Sequence, residues 1–433
     1  MVLGIAKTQP IAYNKSNFSC ERTIATSKTM TYRSTVNACY IGYICQAAVN
    51  NLAPLLFIVF QTRYQLSYDR ISTLILVNFV TQLLIDLGSV KLSKHMSVRA
   101  MTILAHIMCA AGLIMMGTLP LFVGDAFIAL ALSVVVYAIG GGLTEVLISP
   151  IIEAIQDTAG SAKAAAMSLL HSFYCWGQVA VVLLSTGFLA AFGEGLWFLL
   201  PVLWAILPIF NAVFFTKVPM APSLSENDNV KLSALIKQKG FVIILILMLC
   251  AGASELAMSQ WSSLFAQKGL MISKSLGDLL GPCLFAVLMG TGRALYAVFA
   301  NKISLYKIMT ASGILCTVCY ITVAFSDIPA LSLAACALCG LSVAVMWPGT
   351  FSLAAAKYKS GGTAMYSLMA LAGDLGCASG PFIAGMICNF VTANGVDEST
   401  GMKTGLGFSV FFPVILVTCT LIFTFIVRKR KAD

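Results

Sequence analysis

The chain of 433 residues is 59% apolar and only 10% charged, with 27 Lys and Arg against 17 Asp and Glu, a formal net charge of +10. So few charges exclude a disordered polyelectrolyte. The basic residues fall between or at the edges of long apolar stretches, so the positive charge reads as a topology signal and an attraction to anionic headgroups, not as a nucleic-acid footprint.

Residues 1–36 are polar and contain no short apolar core followed by a small-residue cleavage site, so they are expected to form a disordered cytoplasmic tail. Residues 1–29 precede a second methionine, Met30, and read as an extension. Apolar spans then follow at 38–60, 71–90, 100–122, 125–152, 164–191 and 195–216. A polar connection over 217–240 separates them from spans at 241–266, 279–300, 306–326, 329–356, 363–390 and 405–427, and a basic tail closes the chain at 428–433. About 20 residues rising about 1.5 Å each cross a hydrocarbon core of roughly 30 Å, so each stretch is long enough to span a bilayer as a helix. The expectation is an all-α polytopic membrane protein of twelve transmembrane helices, in six-helix bundles at 37–216 and 241–427.

Placing both termini in the cytoplasm puts 22 of the 27 basic residues on that side and leaves Arg63, Arg70, Lys268, Lys274 and Lys403 on the other. Such a bias predicts an even number of spans in a plasma membrane, or an inner membrane in a bacterium.

The two sets of six repeat each other. Gly142-Leu-Thr-Glu145-Val-Leu-Ile-Ser-Pro150 of the fourth span aligns without a gap on Gly340-Leu-Ser-Val343-Ala-Val-Met-Trp-Pro348 of the tenth. Ser168-Leu169 and Gly177 of the fifth meet Ser367-Leu368 and Gly376 of the eleventh, and Asn51-Leu-Ala53 of the first meets Glu255-Leu-Ala257 of the seventh. Two halves repeated about an axis along the membrane normal define the architecture.

On these residues the chain resembles the major facilitator superfamily over about residues 37–427. That family's loop signature between helices 2 and 3 has a degenerate counterpart in Gly88-Ser-Val-Lys91-Leu-Ser-Lys94, followed by Arg99, with Asp86 ahead of Gly88; Gly290-Thr-Gly292-Arg293 is a second. The acid in the fourth span, with polar residues in the first and fifth, looks most like the fucose-permease type of sugar and proton symporter. The resemblance implies helices 1, 4, 7 and 10 around a central cavity and alternating access to a midplane site.

Charges inside those helices are costly and face protein or water. Glu145, Glu255 and Asp374 stand out as deep acids, with no equally deep Lys or Arg expected to neutralise them. Glu145 lies 8 residues from Glu153 at one helix end and His171 lies 7 residues from Ala164 at the next, so the two are expected to share a depth and pair. Glu145, His171 and Asp374 are the expected proton-coupling residues.

For solute binding the candidates are Asn50, Asn51, Gln178 and Gln260, whose amides suit hydroxyl-bearing solutes, with Glu255 and the aromatic faces of Trp176, Trp261 and Trp347. Asn78 and Gln82 are expected gate residues, with Asp86, Gly88, Lys94, Arg99 and Arg293 in the loop motifs. Pro54, Pro150, Pro348 and Pro381 are expected to kink their helices. Cys316-x-x-Cys319 and Cys336-x-x-Cys339 reproduce a zinc spacing, yet sit in wholly apolar surroundings and read as packing, so no metal and no cofactor are expected.

No phosphate-binding loop, nucleophile elbow or long soluble region indicates an enzyme or an ATP-driven pump. The functional expectation is a monomeric secondary transporter of a small polar organic solute, a sugar favoured, driven by a co-transported proton with sodium as the other candidate ion. A proton-coupled exporter of drugs or metabolites is the alternative, and a non-transporting sensor or scaffold the third reading.

Overall fold

The computed structural model describes residues 30–92, 95–159, 163–221, 235–299, 303–358 and 362–432. Among them there are helices and no strands. The first half holds α1a (Tyr32–Leu55), α1b (Phe57–Tyr64), α2 (Tyr68–Leu92), α3 (Val98–Thr118), α4 (Ala126–Ala159), α5 (Lys163–Phe192) and α6 (Leu199–Lys217). The second holds α7 (Lys239–Leu264), α8a (Lys274–Asp278), α8b (Leu284–Phe299), α9 (Leu305–Phe325), α10a (Pro329–Val343), α10b (Met346–Lys357), α11 (Gly362–Ala393), α12a (Glu398–Phe408) and α12b (Phe411–Ala432). Eleven of the spans are long and apolar enough to cross a membrane, and α1a with α1b, bent by 42°, makes a twelfth.

Prolines decide where the helices break. A proline has no N–H for the carbonyl four residues back and its ring crowds that carbonyl. In three spans the helix is interrupted at that residue: Asp278 before Pro282, Ala344 before Pro348 and Ser409 before Pro413. In α1a, Pro54 frees the Asn50 carbonyl, and the helix bends just beyond, at Leu56. Pro150 and Pro381, by contrast, stay inside α4 and α11, which run through them without a break.

The internal repeat survives at the level of contacts. Gly142 brings α4 against α2, where a Cβ would stand 3.0 Å from the Gln82 carbonyl; its counterpart Gly340 brings α10a against α8b, 2.1 Å from the Phe285 carbonyl. Gly177 seats α5 on α1a, 3.0 Å from Ile44 Cα, and Gly376 seats α11 on α7, 2.0 Å from the Leu249 carbonyl. Glycine is what permits these approaches, since packing between apolar helices in lipid depends on close backbones. Equivalent glycines thus make equivalent helix pairs in the two halves. Across the seam between halves, α2 packs on α11 and α5 on α8b.

The two faces of the bundle differ. The one carrying the α2–α3, α4–α5 and α6–α7 connections is called here the basic face. At the other, Asp327 is held below the ordinary carboxylate range by its hydrogen bond from Lys403, and Asp397, capping α12a, by the Thr400 N–H.

Candidate functional site

On α2, Asn78, Gln82 and Asp86 recur every fourth residue and so share one helix face. That face meets α1a and α4. Gln82 Nε2 donates to Asn50 Oδ1 at 2.8 Å and to Asn78 Oδ1 at 3.0 Å, and Asn78 Nδ2 donates to Asn50 Oδ1 at 3.1 Å. Gln46 Nε2 donates both to Gln82 Oε1 at 3.0 Å and to Glu145 Oε2 at 3.1 Å. Four buried amides therefore lead to one carboxyl. They satisfy one another almost completely; Gln46 Oε1 is left buried without a partner.

Asp86 continues the stripe to the seam, where its carboxyl lies beside that of Asp374 on α11. Glu145 is within electrostatic range of both. Two carboxylates set side by side repel, and a proton on one of them removes the repulsion. Asp374 is 7% exposed, and its Oδ2 and Asp86 Oδ1 are buried without a hydrogen-bond partner. The half-and-half origin of the pair matters: one carboxyl belongs to each bundle.

A second charged group lies along the α5–α8b seam. Arg293 Nη2 is 3.7 Å from Glu255 Oε2, and its Nη1 donates to Cys175 Sγ at 3.4 Å. This corrects the expectation that no basic side chain reaches the deep acids: Arg293 is rooted three residues before the end of its span at Tyr296, but its long side chain extends inward. The pairing is loose, since Glu255 Oε2 and Arg293 Nε make no hydrogen bond. Nearby, Asn51 Nδ2 donates to Ala47 O at 2.9 Å and to the Tyr174 hydroxyl at 3.3 Å.

His171 and Glu145 do not pair. Glu145 is engaged by Gln46, whereas the His171 ring packs edge-on to Tyr43 at 5.3 Å and has Arg293 in electrostatic range. Equal depth on adjacent helices is not equal azimuth, and His171 points toward α8b. It is exposed despite these neighbours.

Other expected contacts belong to a closure at the opposite face. Pro54 has freed the Asn50 carbonyl, and Gln260 Nε2 of α7 donates to it at 3.1 Å, joining the halves. Gln178 Nε2 donates to Ser259 Oγ at 3.1 Å, again across the seam. Trp261 is 1% exposed, with Phe57 and Tyr68 of the first half at 5.9 and 6.3 Å and its indole N–H on the Pro381 carbonyl at 2.9 Å. Lys274 Nζ bonds Leu55 O at 2.7 Å and Asp278 at 3.0 Å, while Thr186 donates to Asp278 Oδ2 at 2.9 Å and Ser263 donates to Oδ1. Gln178, Gln260 and Trp261 are therefore parts of a plug.

Trp347 packs on Gly373, beside Asp374 in sequence, whereas Trp176 is 50% exposed against α8b at Gly290 and away from the polar groups. Arg99 donates to the Phe215 and Thr216 carbonyls at 2.8 and 3.1 Å, tying α3 to the end of α6, so it fixes the first half internally. Gly88 is exposed and has open space around it; Lys94 lies outside the described residues. The Cys316 and Cys339 sulfurs face each other at 3.8 Å within the buried packing of α9 and α10a.

Asp86, read as part of a loop motif, is thus the acid that sequence reasoning placed too shallow. Its spacing from Asn78 and Gln82 was the available signal. Tyr174, Lys274 and Asp278 carried none.

Two repeated six-helix halves around buried acids, closed at one face, define a membrane transporter. The chain matches the Major Facilitator Superfamily over residues 39–381 and belongs to it. Solved structures with the same fold include the nucleoside transporter NupG (14% identity, 90% of this chain and 98% of that one, TM-score 0.69). A D-xylose-proton symporter (14%, 90% and 97%, TM-score 0.70) and a bacterial homologue of the human lysosomal transporter Spinster (14%, 91% and 97%, TM-score 0.71) are similar to the same extent. No curated protein shows a significant sequence match.

Proposed function

We propose that the chain is a proton-coupled importer of a small polar, hydroxyl-bearing solute, a sugar favoured, working by alternating access in a plasma membrane as a monomer. With the basic face taken as cytoplasmic, the closure formed by Trp261, Gln260 and Lys274 shuts the outer side. The carrying observation is the juxtaposition of the Asp86 and Asp374 carboxyls across the seam, with Glu145 in range. Protonated, the contact holds the halves together; on losing the proton it becomes a repulsion between them, so proton occupancy and the rocking of the bundles are coupled. Asn51, Tyr174 and the loosely held Glu255–Arg293 pair present donors and acceptors to the solute from both halves.

A likeness in fold to a D-xylose-proton symporter and a nucleoside transporter is compatible with a polyhydroxylated solute. The test is uptake of labelled hexoses, pentoses and nucleosides into proteoliposomes with and without an imposed proton gradient. Gradient-driven uptake that Glu145→Gln removes supports the reading. Silence across the panel, with extrusion of lipophilic cations, replaces it with the exporter.

A further inference from the structure

A cavity of about 440 Å³ opens on the opposite face, above the Trp261 plug, within the size range of small-molecule sites. Both halves build it. Gln61, Gln65 and Tyr68 come from α1b and the start of α2; Lys268, Asn389 and Glu398 come from the end of the seventh span, α11 and α12a. Three observations make this more than a surface dent.

Tyr68 is 5% exposed, and its hydroxyl meets no partner in hydrogen-bond geometry although Gln61 and Glu398 stand beside it; Gln61 Oε1 is buried and unpartnered as well. Buried polar groups are ordinarily satisfied, and leaving one bare is costly. Lys268 and Glu398 pair at 3.0 Å and cancel, so the remaining chemistry is neutral amide and hydroxyl. Gln65 holds a left-handed backbone, φ 52°, at the end of α1b, a conformation that is strained for a non-glycine residue and recurs at ligand clamps.

We propose that this vestibule is a second solute site, for a neutral polyhydroxylated molecule of mono- to disaccharide size, occupied while the plug below it is shut. It rests on the transport reading for the identity of the solute. It is separate from the central groups, from which Trp261 divides it. Its floor is the plug itself, since the Tyr68 ring lies 6.3 Å from that of Trp261, so an occupant bears on the gate it has to pass.

The test uses the full chain in nanodiscs with Gln65→Cys as a rim reporter, labelled by a fluorescent maleimide. The native thiols among the described residues are buried and should react slowly. A panel of hexoses, pentoses and disaccharides should protect the introduced thiol, and protection should persist in Glu255→Gln. Adding Tyr68→Phe, which keeps the ring on Trp261, should raise the half-protecting concentration about tenfold, the worth of one neutral hydrogen bond. Absence of protection, protection that Glu255→Gln removes, or protection indifferent to Tyr68→Phe overturns the vestibule. Proteoliposome uptake of the same panel separates the two readings: uptake without protection sinks the vestibule alone, protection without uptake sinks sugar transport alone, and neither sinks both.

Discussion

The plug at the opposite face and the acid-lined centre are two stretches of one seam built on different chemistry. The plug is mostly aromatic packing and hydrogen bonds to backbone carbonyls, Gln260 on Asn50 O, Lys274 on Leu55 O and Trp261 on Pro381 O. Its one charged pair, Lys274 with Asp278, is closed within a single helix. The centre instead sets carboxyl against carboxyl across the halves, and a guanidinium against a carboxyl within the second half. The Gln260 and Trp261 donors carry no titrating group, whereas two carboxyls set face to face repel once both ionise. On the proposed reading, one seam contains a latch indifferent to protons and a latch governed by them.

That contrast breaks first at the acids. Glu145→Gln should cut gradient-driven uptake by at least about 10²-fold, in the range for losing a positioned proton-transfer group, while solute exchange at equal concentrations persists. Loss of exchange as well would move Glu145 from coupling to binding or folding, and the proton-governed latch would need another centre.

Arg293 gives the next largest effect. Arg293→Met leaves Glu255 buried without the one cation that meets it among the described residues, an imbalance worth about 3–5 kcal/mol when a buried pair loses one partner. Thermal stability in detergent should fall accordingly, and Glu255→Gln in the same chain should restore most of it. If the single variant is as stable as wild type, the pair is solvated and the centre is not the low-dielectric region this reading needs.

Gly376→Ala sharpens the comparison by loosening the scaffold behind the centre. The added methyl would meet the Leu249 carbonyl at 2.0 Å and force α11 from α7, at about 1–3 kcal/mol. Because Asp374 lies two residues away, coupling should suffer along with stability. The matching Gly177→Ala, on α5, should destabilise without touching the carboxyl contact. Equal coupling defects in both would show that the acids respond to general loosening.

How much of this was legible depended on whether the signal was one-dimensional. Span length and basic-residue placement are, and the glycines matched across the repeat, Gly142 with Gly340 and Gly177 with Gly376, proved to make matched helix contacts. Helix breaks were half legible: Pro54 and Pro348 interrupt their spans, Pro150 and Pro381 do not, and sequence offers no way to know which freed carbonyls find partners. The site was legible as a set of residue types but not as pairs. Depth follows from counting along a helix; azimuth follows from how helices pack, and azimuth sent His171 to Tyr43, left Trp176 at the periphery and turned Trp261 into a plug.

The smallest effect tests the proton-indifferent latch. Gln260→Leu keeps the bulk of the side chain and removes the donor to Asn50 O, a carbonyl that Pro54 has already deprived of its helical partner. A buried carbonyl left bare costs about 1–3 kcal/mol. The cost falls only on the state in which α7 meets α1a, so it should shift the equilibrium toward opening at the opposite face by about tenfold or more. Alkylation of a cysteine placed at Ser259, which the same closure buries against Gln178, should accelerate by that factor at pH 6 and pH 8 alike. An acceleration confined to one pH would mean that the plug titrates with the acids below it, and the two latches would be one.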